Sequence, residues 1–135
     1  MNEAKTIEKL NSFGLKLRPH KDKYATYDAY DSNYIVEIKN VRKDYGKDLM
    51  LADKLYKNYQ KSQIFKKDFL YAVTVESSLY LYNISKLITS IVKTPPAPLK
   101  IPVTTDFENN EKIIKYSYFL DRNLAKKIDL TLDTD

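Results

Sequence analysis

Tyr24-Ala25-Thr26-Tyr27-Asp28-Ala29-Tyr30 and Tyr34-Ile35-Val36-Glu37-Ile38-Lys39-Asn40-Val41, separated by Asp31-Ser32-Asn33, decide how the chain is read. Both runs are rich in aromatic and β-branched residues, which suit strands, and the Asp-Ser-Asn between them suits a turn. The pair reads as a β-hairpin. Because side chains alternate across a strand, Glu37 and Lys39 share a face with Ile35, whereas Tyr34, Val36 and Ile38 share the other. The second face is apolar and is expected to be the core face.

Register then decides what Glu37 meets. A two-residue loop of Ser32 and Asn33 sets Asp31 against Tyr34; a four-residue loop sets Tyr30 against Ile35. Both place Asp28 opposite Glu37, whereas a three-residue loop without a bulge brings Tyr27 there. Directly opposed Cβ atoms lie ~4.5–5.5 Å apart, so an even-numbered turn lets Asp28 and Glu37 share one cation. Such like charges repel unless a cation is present. Lys39, two residues on along the same face, reaches a water or phosphate oxygen near that cation. Asp28 and Glu37 as ligands of Mg2+ or Mn2+, with Lys39 stabilising developing charge, form a phosphodiester-hydrolysing arrangement. The competing reading is the wet side of a hairpin with a cross-strand ion pair.

Composition narrows the alternatives. The chain has 135 residues, no cysteine and one histidine, His20. That length suits one domain with its own core. Thiolate zinc sites, cysteine nucleophiles and multi-imidazole centres are excluded, leaving carboxylates and backbone oxygens, which favour hard cations. No signal-like or membrane-spanning apolar run is visible, so a cytoplasmic compartment and no membrane association are expected. Residues 1–67 hold fifteen basic and nine acidic side chains, and residues 68–135 hold eight and nine. Such clustering is what a polyanion-facing surface shows. Lysine-rich coding produces the same total, so charge alone decides little.

Outward from the hairpin, Asn2 to Asn11 reads as a short amphipathic helix ended by Gly14, Phe13 to Leu17 as a short strand, and Arg18 to Asp22 as a loop. Asp44 to Asp48 supplies turn and N-cap chemistry before a helix over Leu49 to Ile64. Phe69 to Val75 and Leu79 to Asn83 form a second hairpin, followed by a short helix over Ile84 to Val92. Four of the five prolines fall between positions 95 and 102 and predict a stiff connector. Asn109-Asn110-Glu111 reads as a turn entering a strand over Lys112 to Leu120, and the tail after Ile128 as frayed. The expected class is α+β (mixed α/β): a single domain over 1–135, with its core at about 2–92 and an extension at 93–135.

Asp28, eight intervening residues and Glu37-Ile38-Lys39, set within an α-β-β-β-α-β order, resemble the PD-(D/E)XK nuclease superfamily, including its small Holliday-junction-resolvase-like and phage-borne members. The resemblance covers roughly Asn2 to Asn83, and its motif is short; Tyr27 stands where the family's proline precedes the Asp. It implies a restriction-endonuclease-like core with a mixed central sheet flanked by helices, and Mg2+-dependent cleavage of DNA. It assigns Asp28 and Glu37 as metal ligands and Lys39 as the catalytic lysine, with Glu8 the candidate for a glutamate on the first helix.

In the predicted helix, Leu51, Ala52, Leu55 and Tyr59 make an apolar stripe, and Lys54, Lys57 and Lys61 a basic one. With Lys43 and Lys47 before it, the basic row is suited to a phosphate backbone, although a solvated helix face has the same pattern. By analogy with the family, where this helix borders the active site, Lys54 and Gln60 are candidates for accessory roles. Of twelve tyrosines, most fit strand and core positions; Tyr30 and Tyr45 are the candidates for stacking on bases. The leading expectation is a small endonuclease for DNA, branched or otherwise structured, acting as a homodimer. The alternative is a catalytically inactive nucleic-acid-binding or protein-interaction module of the same fold.

Overall fold

The computed structural model describes residues 1–22, 24–102 and 112–130. The chain runs α1 (Glu3–Ser12), β1 (Arg18–Pro19), β2 (Ala29–Tyr30), β3 (Tyr34–Val41), β4 (Asp48–Leu51), α2 (Ala52–Phe65), β5 (Asp68–Val75), β6 (Ser78–Asn83), α3 (Ile84–Val92), β7 (Ala97–Pro102), β8 (Lys112–Leu120), a 3-10 turn (Arg122–Leu124) and β9 (Lys126–Asp129). A mixed sheet in the order β1-β2-β3-β5-β6-β9 carries the core, and β4-β8-β7 form a smaller antiparallel sheet. The class is mixed α and β, as expected. No helix among the described residues is long and apolar enough to cross a membrane.

The β2–β3 turn is even-numbered. Asp31 closes it, its backbone N–H donating to Tyr34 O at 3.0 Å while its Oδ1 accepts from the N–H groups of Asn33 and Tyr34, both at 2.8 Å. An aspartate that satisfies its own turn in this way needs no distant partner, which is why the hairpin is legible locally. Ala29 pairs with Val36 and Tyr30 with Ile35, and the ladder ends there; the Asp28 N–H donates to Val36 O and its Oδ2 accepts from the Ile38 N–H, which sets Asp28 beside Glu37 without a ladder pair.

β3 and β5 run parallel from Tyr34 beside Asp68 to Val41 beside Val75, connected through β4 and α2. Both faces of this sheet are covered. Ile7 and Leu10 of α1 pack with Val36, Ile38, Leu70 and Ala72, while Leu55 of α2 and Ile84 and Ile91 of α3 pack with Ile35, Phe69, Tyr71 and Val73. The expectation of one apolar face and one polar face is corrected: two helical layers make both faces core, as parallel strands require.

Further boundaries move for tertiary reasons. Leu49 to Leu51, expected to open the α2 helix, and Asp48, expected as turn and N-cap, instead pair with Leu120 to Ser117, so the helix begins at Ala52. Leu51 occupies the N-cap without a side-chain hydrogen bond, as suits a residue recruited to a strand. Phe13 to Leu17 form no strand; Arg18–Pro19 do, paired with Tyr30 and Ala29. Of the run from Tyr24, only Ala29 and Tyr30 are extended in a ladder. The proline-rich stretch is more than a connector, because Ala97–Pro102 pairs with β8. β7 is an edge strand, where a missing N–H is tolerated. Lys126–Asp129 pair with β6, so Asp129, the first residue of the tail expected to fray, sits in a ladder. The expected turn at 109–111 and the tail beyond 130 lie outside the described residues.

The two sheets are joined through a charged knot. Asp48, 2% exposed, accepts from Arg122 Nη2 at 3.1 Å and from the Tyr82 hydroxyl at 2.5 Å, and Arg122 Nη1 also reaches Asp44 at 2.8 Å. The Arg122 guanidinium lies 4.3 Å from the Tyr80 ring centroid. Burial and the Asp48 carboxylate hold the Tyr82 hydroxyl well above the usual phenol range. The Asp44 carboxyl is lowered by hydrogen bonds from the Gly46 N–H and from Arg122.

Candidate active site

Glu37 lies where the large sheet passes from covered to open. Along its face of β3, Ile35 is fully buried, Glu37 is 7% exposed and Lys39 is exposed. Glu37 stands mid-strand, and Lys39 lies in the carboxyl-terminal half of a strand parallel to its neighbour, the end at which open α/β sheets hold ligands. The hairpin's wet-side reading is excluded for Glu37 by its burial.

Asp28 is fastened to β3 beside it. Its N–H donates to Val36 O at 2.8 Å, and its Oδ2 accepts from the Ile38 N–H at 2.7 Å. Glu37 Oε1 stands 3.1 Å from Lys54 Nζ. Burial, and after it the charge of Asp28, push the Glu37 carboxyl up to about 7, against the opposing pull of Lys54 and Lys39. Burial and a second carboxylate nearby thus outweigh the lysines and favour the protonated form of Glu37.

α2 organises this region from one stripe. Lys54 reaches Glu37, Asn58 Nδ2 donates to Thr26 O at 2.9 Å, and Lys61 Nζ donates to Thr26 Oγ1 at 2.9 Å. Residues four and three apart face the same way on a helix, so one helix face holds both Glu37 and the loop leading to Asp28. Asn58 is fully buried, and its Oδ1 has no hydrogen-bond partner. His20 steadies the same loop: its backbone N–H donates to Asp28 O at 2.8 Å, and its ring meets those of Tyr27 and Tyr30 edge-on at 4.9 and 5.9 Å.

The expected residues therefore separate. Asp28, Glu37, Lys39 and Lys54 come together. Glu8 is exposed on α1, whereas Glu3, at the start of that helix, has its carboxyl raised by burial and by the charge of Asp28. Both glutamates are exposed, and of the two it is Glu3 whose carboxyl feels the Asp28 charge. Gln60 and Lys57 are exposed on α2. Lys61 is engaged with Thr26, and its Nζ also lies 5.7 Å from the Tyr27 ring centroid, so it serves the loop. Lys43 stands over Tyr45 at 5.4 Å and Lys47 over Phe119 at 4.4 Å.

Two participants were not anticipated. Asn58 follows Lys54 by one helical turn, a signal present in the sequence. Tyr71 lies beside Glu37 in the β3–β5 register and donates to Leu49 O at 2.8 Å; only the parallel pairing brings it there. Burial raises its hydroxyl above the usual phenol range, with Glu37 adding to the effect.

Among the described residues, no group of three or more histidine, aspartate or glutamate side chains forms a cage for a metal ion. The available donors are the two carboxylates of Asp28 and Glu37. That pair is compatible with Mg2+, which keeps several of its waters and is commonly held by one or two carboxylates. No family model, curated protein or solved structure matches the chain. Function is accordingly read from the chemistry of the site itself.

Proposed function

We propose that this chain is a metal-dependent endonuclease that hydrolyses phosphodiester bonds in DNA. One observation carries the reading: Glu37 is buried in the middle of β3 beside Asp28, its carboxyl pushed up to about 7 by burial and then by the Asp28 charge, against the pull of Lys54 and Lys39. Asp28 and Glu37 would hold Mg2+ or Mn2+, and the exposed Lys39 continues the same face toward solvent. The bound ion would supply Lewis-acid polarisation and a water of lowered pKa. Lys39 places a cation where charge builds on a phosphate oxygen. Lys54, 3.1 Å from Glu37 Oε1, supplies a counter-charge and keeps that carboxylate oriented. The chain runs α-β-β-β-β-α-β around the motif, one strand more than the α-β-β-β-α-β core expected of the PD-(D/E)XK superfamily, so likeness to that superfamily rests on Asp28 and Glu37-Ile38-Lys39, with Glu3 as a further first-helix candidate beside Glu8. A homodimer would widen the surface offered to a duplex.

The Lys54–Glu37 pair also favours a second reading. Lys54 already provides a counter-charge, as suits a catalytically silent nucleic-acid-binding protein that retains the architecture. Titrating Mg2+ and Mn2+ against supercoiled, linear and branched DNA separates the two. The nuclease reading expects metal-dependent nicking that Glu37→Ala and Lys39→Ala each abolish. Nicking that survives both substitutions, or binding without cleavage at any metal concentration, sinks it.

A further inference from the structure

Past Lys39, the carboxyl end of β3 opens into a cleft of about 650 Å³ between the two sheets. On the large sheet its wall is Val41, Tyr71 and Val73; on the small sheet it is Leu49, Leu99 and Phe119. Three ammonium groups, those of Lys39, Lys47 and Lys100, line the same space. Its carboxylate, Asp48, is engaged by Arg122 and Tyr82. The cleft therefore presents positive charge over an apolar lining.

The mouth is aromatic and open. Tyr45 is 69% exposed and Phe119 46%, with Lys43 and Lys47 standing over their respective rings. A small inorganic anion leaves the apolar walls unexplained, and a purely apolar ligand leaves the lysines unexplained. A planar heterocycle carrying phosphate accounts for both, since bases stack on aromatic faces while phosphate oxygens take lysine donors. The cleft has the size of a small-molecule site, which suits single nucleotides and not a duplex.

We infer that this cleft seats an unpaired nucleotide of the substrate strand, its base against Tyr45 and Phe119 and its phosphates toward Lys39, Lys47 and Lys100. The inference rests on the nuclease reading and narrows it to DNA with unpaired nucleotides beside the scissile phosphate. Bases inside an intact duplex are already stacked and are costly to extract, whereas single-stranded or branch-point bases are cheap.

The test uses single-stranded and fully duplex oligonucleotides carrying 2-aminopurine, with the full chain in EDTA so that binding is read without cleavage. The expected result is a change in 2-aminopurine fluorescence with the single strand only. Tyr45→Ala and Phe119→Ala are each expected to weaken that binding roughly tenfold. Phe119→Leu keeps an apolar side chain, so a loss there with an unchanged thermal melt assigns the effect to stacking and not to folding. Glu37→Ala should abolish nicking while leaving the fluorescence change in place. If the aromatic variants bind the single strand as tightly as the parent protein, the inference is overturned even where nicking persists. Stacking without nicking at any metal concentration overturns the nuclease reading and leaves the nucleotide cleft standing. Displacement by an equimolar mononucleotide overturns the assignment to a strand.

Discussion

Lys54 Nζ lies 3.1 Å from Glu37 Oε1, joining the first turn of α2 to the middle of β3. Lys54 remains 48% exposed while the Glu37 side chain is 9% exposed, so the two partners differ in what they lose when parted. Lysine returns to water; glutamate does not. Lys54→Met is expected to destabilise the protein at pH 8 by about 1–2 kcal/mol, less than for a fully buried pair because solvent screens the lysine. At pH 5, where Glu37 is already protonated, the loss should nearly vanish. Urea denaturation of both proteins at the two pH values checks this, and an equal loss at both would separate the effect from Glu37 ionisation.

Glu37 also makes stability depend on pH. Its carboxyl titrates near 7 in the fold against an ordinary value of 4.5, so between these values the folded state holds more protons than the unfolded one. Stability from this group therefore falls as pH rises from 4.5 through 7. A shift of this size corresponds to about 3 kcal/mol at 1.36 kcal/mol per unit. Glu37→Gln should flatten the metal-free profile and narrow the gap between pH 5 and pH 8. A profile as steep as that of the parent protein in EDTA would count against the assignment. Added Mn2+ should stabilise the parent at pH 8 and leave the Glu37→Gln variant unmoved.

The knot between the sheets offers a third measurement. Arg122→Ala leaves Asp48 almost fully buried without its guanidinium partner, and is expected to cost about 3 kcal/mol or more. Tyr82→Phe removes one hydroxyl hydrogen bond to the same carboxylate, at about 1.5 kcal/mol. Because both act on Asp48, their effects should not add, and a double-mutant cycle should give a coupling of about 1 kcal/mol. Simple additivity would show that Arg122 and Tyr82 act independently.

Asp31 holds the hairpin that sets the register. Its carboxylate accepts from the backbone N–H groups of Asn33, Tyr34 and Lys16. Asp31→Ala strands these donors and is expected to destabilise by about 2–3 kcal/mol, with faster amide exchange at Asn33 and Tyr34. Asp31→Asn keeps one acceptor oxygen and should recover part of the loss. Unchanged exchange in the alanine variant would mean that the strands alone fix the turn.

Some of this architecture is written in neighbouring residues. Asp31-Ser32-Asn33 satisfies its own backbone, so the turn length and the pairing of Ala29 with Val36 follow from local chemistry. The β5–β6 hairpin, α1 and α3 are legible for the same reason, each carrying its periodicity within a short span. Lys54 was identifiable as a candidate, although the carboxylate it neutralises was not.

Other features exist only because distant segments meet. Leu49 and Leu51 look helical until Phe119 and Ser117 pair with them, and no local propensity anticipates a partner some seventy residues away. Glu37 becomes buried because helices cover both faces of its sheet, and its raised carboxyl follows from that burial. The docking of α1, and not its helical periodicity, decides that the Glu3 carboxyl feels the Asp28 charge. The cleft beside Lys39 draws Leu99, Lys100 and Phe119 from strands the hairpin never touches in sequence. The sequence by itself determined the even-numbered turn that brings the Asp28 segment alongside β3, because hydrogen bonding within a turn is local. The tertiary structure decided how deeply Glu37 is buried and which lysine answers it, because desolvation depends on the surfaces that close over a group.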